Sequence, residues 1–310
     1  MSPEEFRVFS NIRDGAIDSG TRLSGSGRAL LLQMLALLLM STAFAAGPKP
    51  IYLDPAYEHD KWDTEPKDIV KEFDAFTLSF DGNDDDDGDG TPDLRRVPEW
   101  VAYEIKHYDG DVPNYRRPAW FTDDALFNDK IAPKDASYSG SGRTWNRGHM
   151  CMKNHAARIS ANADHNTHTL LNVVPQAALL NQQIWLDLEK KTADWADIYG
   201  KVWIICGPIF NDEKPTNWIG KGSALKVAIP DSCYKIVIRE SKTPGKPHVL
   251  AFIYPNTNST SILPKKGPFD HRKFEVTVDD IEEATGLDFL TALENKTEKR
   301  VESSKEPIWP

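Results

Sequence analysis

The sequence predicts an α+β fold in which helices flank a central, largely antiparallel sheet. Three observations carry that expectation. The second half holds β-rich runs, "KVWIICGPIF", "ALKVAIP", "CYKIVIRE" and "HVLAFIYP", separated by Gly, Pro, Asn and Lys. Ahead of them, "AALLNQQIWLDLEKKTADWADIYG" places Leu180, Ile184, Trp185, Leu188 and Trp195 at helical spacing, with Gly200 as a stop. Near the end, "TVDDIEEATGLDFLTAL" offers Thr277 or Asp279 as an N-cap for a short helix. With 310 residues and 40% hydrophobic content, there is ample material for a core. No internal repeat is present, and the tail after Glu298 reads as frayed.

The N-terminal elements read differently. Arg28 precedes an apolar run from Ala29 to Ala46 that contains Gln33, Ser41 and Thr42. That run is marginal as a membrane span. Ala43-Phe44-Ala45 fits a signal-peptidase site, so residues 1–45 are expected to be an upstream segment and a cleaved signal peptide rather than an anchor. The expectation is export, periplasmic or extracellular, with no stable membrane association after cleavage. An exported chain can form disulfides, but Cys151, Cys206 and Cys233 allow at most one pair and an odd thiol. Burial must hold this fold.

Residues 46–80, with Pro48, Pro50, Pro55 and Pro66, read as an arm leading into the domain. "DGNDDDDGDGTPD" follows at residues 81–93. Asp85, Asp87 and Asp89 alternate, Gly90 permits a tight bend and Asp93 closes the run, which is the front of a calcium loop. Arg96 stands where an EF-hand has its bidentate Glu, so the stretch resembles the shorter loops of dockerin and thrombospondin type-3 repeats. A solvated acidic linker is the alternative. The main domain is expected over 95–298 and a tail over 299–310.

The chemistry concentrates in "NRGHMCMKNHAAR", residues 146–158. His149, Cys151 and His155 could form a soft-metal site, but no second ligand pair stands at zinc-finger spacing. Met150 and Met152 read as core fillers, and His165 and His168 as lying on a solvated turn. On the long helix, Asn181, Trp185 and Glu189 are spaced i, i+4, i+8 and drift by about 80° around the axis. Asn181 and Glu189 then border the buried stripe, and Asn172 closes an apolar strand. All are oxygen donors suited to Mg²⁺ or Mn²⁺.

"RGHM", "LLNVVPQ" and "LLNQQIWLDLE" together resemble the DNA/RNA non-specific endonucleases, a group of ββα-metal (His-Me finger) nucleases. That family reads D-R-G-H, then T-N-x-x-P-Q, then L-N-x-x-x-W-x-x-L-E. The similarity extends to "RRPAWFTDDALF", "GPIF" and "IEEATGLDFL", roughly residues 103–293. The resemblance implies a ββα-metal finger site and hydrolysis of phosphodiester bonds in DNA and RNA with one catalytic metal ion. By position, His149 would be the general base and Asn181 the direct protein ligand of Mg²⁺. Glu189 would hold and orient water at the metal, Arg147 and Arg117 would contact the scissile phosphate, and Asn172 would help fix the site. Asn146 departs from the family, which has Asp there.

Elementary chemistry agrees. An imidazole with a reference pKa near 6.5 is largely neutral at pH 7, as a base must be. A neutral Asn ligand leaves the metal's charge available to the phosphate. The net charge of −10 is the wrong sign for a generic nucleic-acid binder. Between Arg95 and Arg158, however, eleven Lys/Arg face eight Asp/Glu, so phosphate contacts can be local. The alternative is an exported calcium-binding module with a degenerate nuclease fold.

Overall fold

The computed structural model describes residues 57–80, 82, 94–122, 131–212 and 214–310. The signal-like segment and the expected calcium ligands Asp85, Asp87, Asp89 and Asp93 lie outside the described residues. Among the described residues no helix is long and apolar enough to cross a membrane.

The first described strand is β1 (Thr64–Glu65). Seven others form one antiparallel sheet: β2 (Ile69–Glu72), β3 (Thr77–Phe80), β4 (Pro98–Lys106), β7 (Lys201–Ile209), β10 (Ser232–Arg239), β11 (His248–Pro255) and β12 (Glu275–Val276). Their order is β12-β11-β10-β7-β4-β3-β2, and β8 (Trp218–Ile219) pairs with β9 (Val227–Ala228) apart from it. Two-residue alternation sorts each strand between two cores. Val202, Ile204 and Cys206 of β7 face one layer, while Trp203 and Ile205 face the other. Cover on both faces explains why these strands read as nearly continuous apolar runs. The described part of the expected arm, residues 57–80, is therefore part of the domain, because Trp62 packs in one core and β3 pairs with β4 in register Leu78↔Val101.

One layer is built by the long helix α3 (Leu186–Tyr199) and the elements before it. The preceding elements are the short helices α1 (Lys153–Ala156) and α2 (Ala161–Asn166) and a two-stranded hairpin. α3 ends at Gly200, whose φ of +90° a side chain would resist, as its stop role requires. The other layer holds α4 (Val278–Thr285) and α5 (Asn295–Glu302). Thr277 caps α4 in a capping box with Asp280, as expected.

The tail does not fray. Trp309 is buried and packs edge-on against Trp195 at 5.1 Å, and Trp195 Nε1 donates to Pro310 O at 3.2 Å. A lone Trp three residues past Glu306, the end of a charged stretch, gives no periodicity, so the docking was invisible in the sequence. All three cysteines are free and buried.

Candidate active site

Two strands and a helix form the site. β5 (Trp145–His149) pairs antiparallel with β6 (Val173–Ala177), with Gly148 opposite Val174 and His149 opposite Val173. A side chain at Gly148 would place its Cβ 2.3 Å from Gln176 Oε1, so only glycine lets the strands close between Arg147 and His149. After β6 the chain turns through a π-helical segment, Leu180–Trp185, into α3. That wide turn takes in an extra residue and removes about 100° of rotation, so the drift of about 80° expected between Asn181 and Glu189 becomes about 20° in the opposite sense.

Asn172 holds the far end of the hairpin. Its Oδ1 accepts from Cys151 N at 2.8 Å, and its Nδ2 donates to the carbonyls of Cys151 and Thr167, both at 3.0 Å. Fully buried, it ties both ends of the 150–172 connection and so fixes His149, which precedes it. Asn181 Nδ2 donates to Asn146 Oδ1 at 3.0 Å, and Gln182 Nε2 donates to the same oxygen at 2.9 Å. Asn181 Oδ1 accepts no hydrogen bond among the described residues.

Trp120 organises the cations. Its ring lies 5.1 Å from that of His149 and 5.0 Å from that of His168, and the guanidinium carbons of Arg117 and Arg147 stand 5.3 and 5.4 Å from it. Arg117 Nε donates to His168 Nε2 at 3.1 Å, and Arg147 Nη2 donates to Asp135 Oδ1 at 2.6 Å. Arg117, Trp120, Tyr138, Asn146, Arg147 and Asn181 line a cleft of about 550 Å³. A second cleft of similar volume at Arg95 and Phe210 also carries Glu99, Asp212 and Glu283, a poor setting for phosphate.

Burial holds the His149 imidazole down at about 3, reinforced by the positive charge of Arg117 and Lys153 and by His168. Its Nε2 is buried with no hydrogen-bond partner. The residue is therefore neutral across the physiological range. Glu189 is 5% exposed and faces Lys235 Nζ at 3.9 Å, and burial pushes its carboxyl up to about 7 against the pull of that lysine. Lys235 is wholly buried, with its ammonium 4.2 Å from the Trp185 ring.

The sequence-predicted residues thus fall into two groups. Asn181, Arg147 and Arg117 meet at the cleft, with His149 behind Trp120 and Asn172 as its brace. Glu189 does not border the buried stripe as expected: α3 packs over β7 and β4, and its carboxylate lies inside against Lys235 on β10. His168 is a further correction. It is buried beside His149 rather than solvated, because Thr169 and Leu170 pin this turn to Phe121. His165 is exposed. The soft-metal reading fails: Cys151 Sγ points at Ala75 O, and His155 Nε2 lies 3.0 Å from Glu189 O.

Trp120, His168, Gln182 and Lys235 were missed. A lysine in the middle of the apolar "CYKIVIRE" was the one available signal, since a buried charge needs a partner across the layer. Cys233 and Val237 face the α3 layer, and strand alternation puts Lys235 there too.

A histidine on a hairpin that leads into a helix bearing an unengaged amide oxygen defines the ββα-metal class of fold. The sequence-family model described as DNA/RNA non-specific endonuclease matches residues 70–296, and the chain belongs to that family. The nuclease of Serratia marcescens is 31% identical over 215 residues, 67% of this chain and 74% of that protein. Human mitochondrial endonuclease G is 30% identical over 204 residues, 62% of this chain and 63% of that protein. The mitochondrial nuclease EXOG of Xenopus laevis is 28% identical over 211 residues, with 64% of this chain matched to only 55% of that protein. A crystal structure of an EndoG/EndoGI complex shares the fold at a TM-score of 0.62 and 21% identity, covering 77% of this chain and 92% of that one.

Proposed function

We propose that this chain is a divalent-metal-dependent endonuclease that hydrolyses phosphodiester bonds in DNA and RNA. The observation that carries the reading is the Asn146–Asn181 hydrogen bond, which turns the Asn181 nitrogen inward and leaves its oxygen at a cleft holding two arginines. A carbonyl oxygen with no competing soft ligand suits Mg²⁺ or Mn²⁺. Asn181 would hold the ion, with Glu189 about two turns further along the helix orienting water. Bound there, the ion would supply positive charge where negative charge develops on the phosphate.

The chain's own residues do the rest. A neutral imidazole nitrogen of His149 takes the proton of the attacking water as oxygen bonds to phosphorus and the ester bond to the leaving oxygen breaks. Arg117 and Arg147, stacked on Trp120, place guanidinium donors on the phosphate oxygens. None of these contacts reads a base edge, which fits sugar- and sequence-tolerant cleavage with steep salt dependence.

Supercoiled plasmid and a structured RNA, each incubated with Mg²⁺, Mn²⁺ or EDTA, test the reading. Both should be cut with metal and spared with EDTA. Purified protein that cuts neither substrate with any divalent ion would leave the calcium-binding module instead. Export through residues 1–45 and calcium binding at Asp85, Asp87, Asp89 and Asp93 complete the proposal. N-terminal sequencing of the exported protein should start at Ala46.

A further inference from the structure

Five carboxylates from three elements converge on the sheet face away from the hairpin. Asp279 and Glu282 lie one turn apart on α4, Asp288 lies on β13 (Asp288–Phe289), and Glu298 and Glu302 lie one turn apart on α5. Carboxylate oxygens of Asp279, Glu282 and Glu302 fall within 4.8 Å of one another, as do those of Asp288, Glu298 and Glu302. Glu302 belongs to both triplets.

That residue supplies an independent observation. It is only 5% exposed, and its Oε1 is buried with no hydrogen-bond partner. The neighbours acting on it are Glu282, Glu298, Asp279 and Asp288, all acidic. Among the described residues none of the five carboxylates forms an ion pair with Lys, Arg or His. Only Glu282 has a partner that offsets its charge, the Phe289 N–H at 2.9 Å. Burial and the four like charges push the Glu302 carboxyl up to about 8. A single proton would neutralise one charge of five, whereas a divalent cation neutralises two and can bind several oxygens at once.

We propose that Asp279, Glu282, Asp288, Glu298 and Glu302 form a calcium site that ties α5 to α4 and β13. The donors are all carboxylate oxygens, with no nitrogen or sulfur for zinc or copper. Ca²⁺ takes six to eight oxygens at about 2.3–2.6 Å, so its ligands stand no more than about 4.6–5.2 Å apart, a limit that each triplet, within 4.8 Å, meets. Mg²⁺ demands a tighter octahedron and keeps its waters. Val278, Ile281, Phe289 and Val301 of the same elements pack in the far core, so the ion would clamp that layer to itself rather than serve the hairpin.

The test must silence the other expected metal positions. In the full chain carrying Asp85→Asn, Asp87→Asn, Asp89→Asn and Asn181→Ala, Ca²⁺ at ten times its dissociation constant should raise the Tm by roughly 3–6 °C. Equilibrium dialysis should then return one bound Ca²⁺ per chain, and Mg²⁺ at the same concentration a smaller Tm shift. Adding Glu302→Gln should abolish both the shift and the bound ion. If that variant does not fold, Asp279→Asn with Asp288→Asn, both exposed, should weaken Ca²⁺ binding at least tenfold. No Ca²⁺ binding in the silenced background would overturn the site, leaving a proton-sharing acidic cluster. So would unchanged binding with Glu302→Gln or, should that variant not fold, with the Asp279/Asp288 pair, or an equal response to Mg²⁺.

Discussion

Asn146 Oδ1 receives the Asn181 amide at 3.0 Å and the Gln182 amide at 2.9 Å, so both its lone pairs are spent on orienting the helix that carries the proposed metal ligand. This job needs an acceptor and no charge, which is why an amide can stand where the family has a carboxylate. Asn146→Asp should then keep kcat/KM within about threefold of wild type, since a carboxylate accepts the same two bonds with somewhat greater strength. Asn146→Ala removes the acceptor and should cost at least tenfold. A large loss in the Asp variant would show that the Asn146 nitrogen matters instead.

His149→Ala should lower turnover by roughly 10²–10⁴, the usual contribution of a general base. Asn181→Ala should lose as much, and raising Mg²⁺ should partly restore it if the loss is one of metal affinity. Both variants should keep the wild-type circular dichroism, because neither side chain fills the core. Either variant retaining near-full plasmid cleavage would dissolve the site assignment.

The pH profile follows from His149. Its pKa is depressed, so the neutral form is favoured in the folded chain. The stability it contributes is fully present above the unfolded value and lost as pH falls toward about 3. Between pH 7 and pH 5 the base stays neutral. Proton uptake by His149 should therefore change kcat/KM by less than about threefold, where an imidazole at its reference pKa would lose roughly thirtyfold.

Lys235→Met tests the buried pair. It leaves Glu189 without the cation that opposes burial, so its carboxyl, already up at about 7, takes up a proton, and stability should fall by about 1 kcal/mol or less at pH 7 and by more as pH rises. Adding Glu189→Gln should recover most of that loss, because the uncompensated carboxylate is gone. Urea unfolding of the two single variants and the double gives the coupling directly.

Trp309→Ala should destabilise by about 3 kcal/mol, the range for deleting a buried aromatic, and lower Tm by roughly 6–12 °C. A frayed tail would give no change.

Much of this was legible in the chain because periodicity reports local geometry. The runs around Trp203, Ile236 and Phe252 announced sheet strands, and Thr277 announced its helix, since alternation and capping are decided within a few residues. The ordered blocks around His149, Asn172 and Asn181 likewise marked the candidate site, because the proposed chemistry rests on two short elements and their spacing. Lys235 could have been read as needing a partner, though not which one.

The sequence by itself determined the α+β class, the strands and the family-bearing motif. Tertiary structure alone decided that Trp120 gathers Arg117, Arg147, His149 and His168 around one ring, and that the π turn swings Asn181 and Glu189 onto one face. It also decided that Glu189 ends inside against Lys235 and that Trp309 closes on Trp195. Apart from Arg117 with Trp120 and Asn181 with Glu189, these contacts join residues tens to more than a hundred positions apart. No local spacing encodes them; which layers stack, and how far a helix rotates before it docks, is settled only when the cores close.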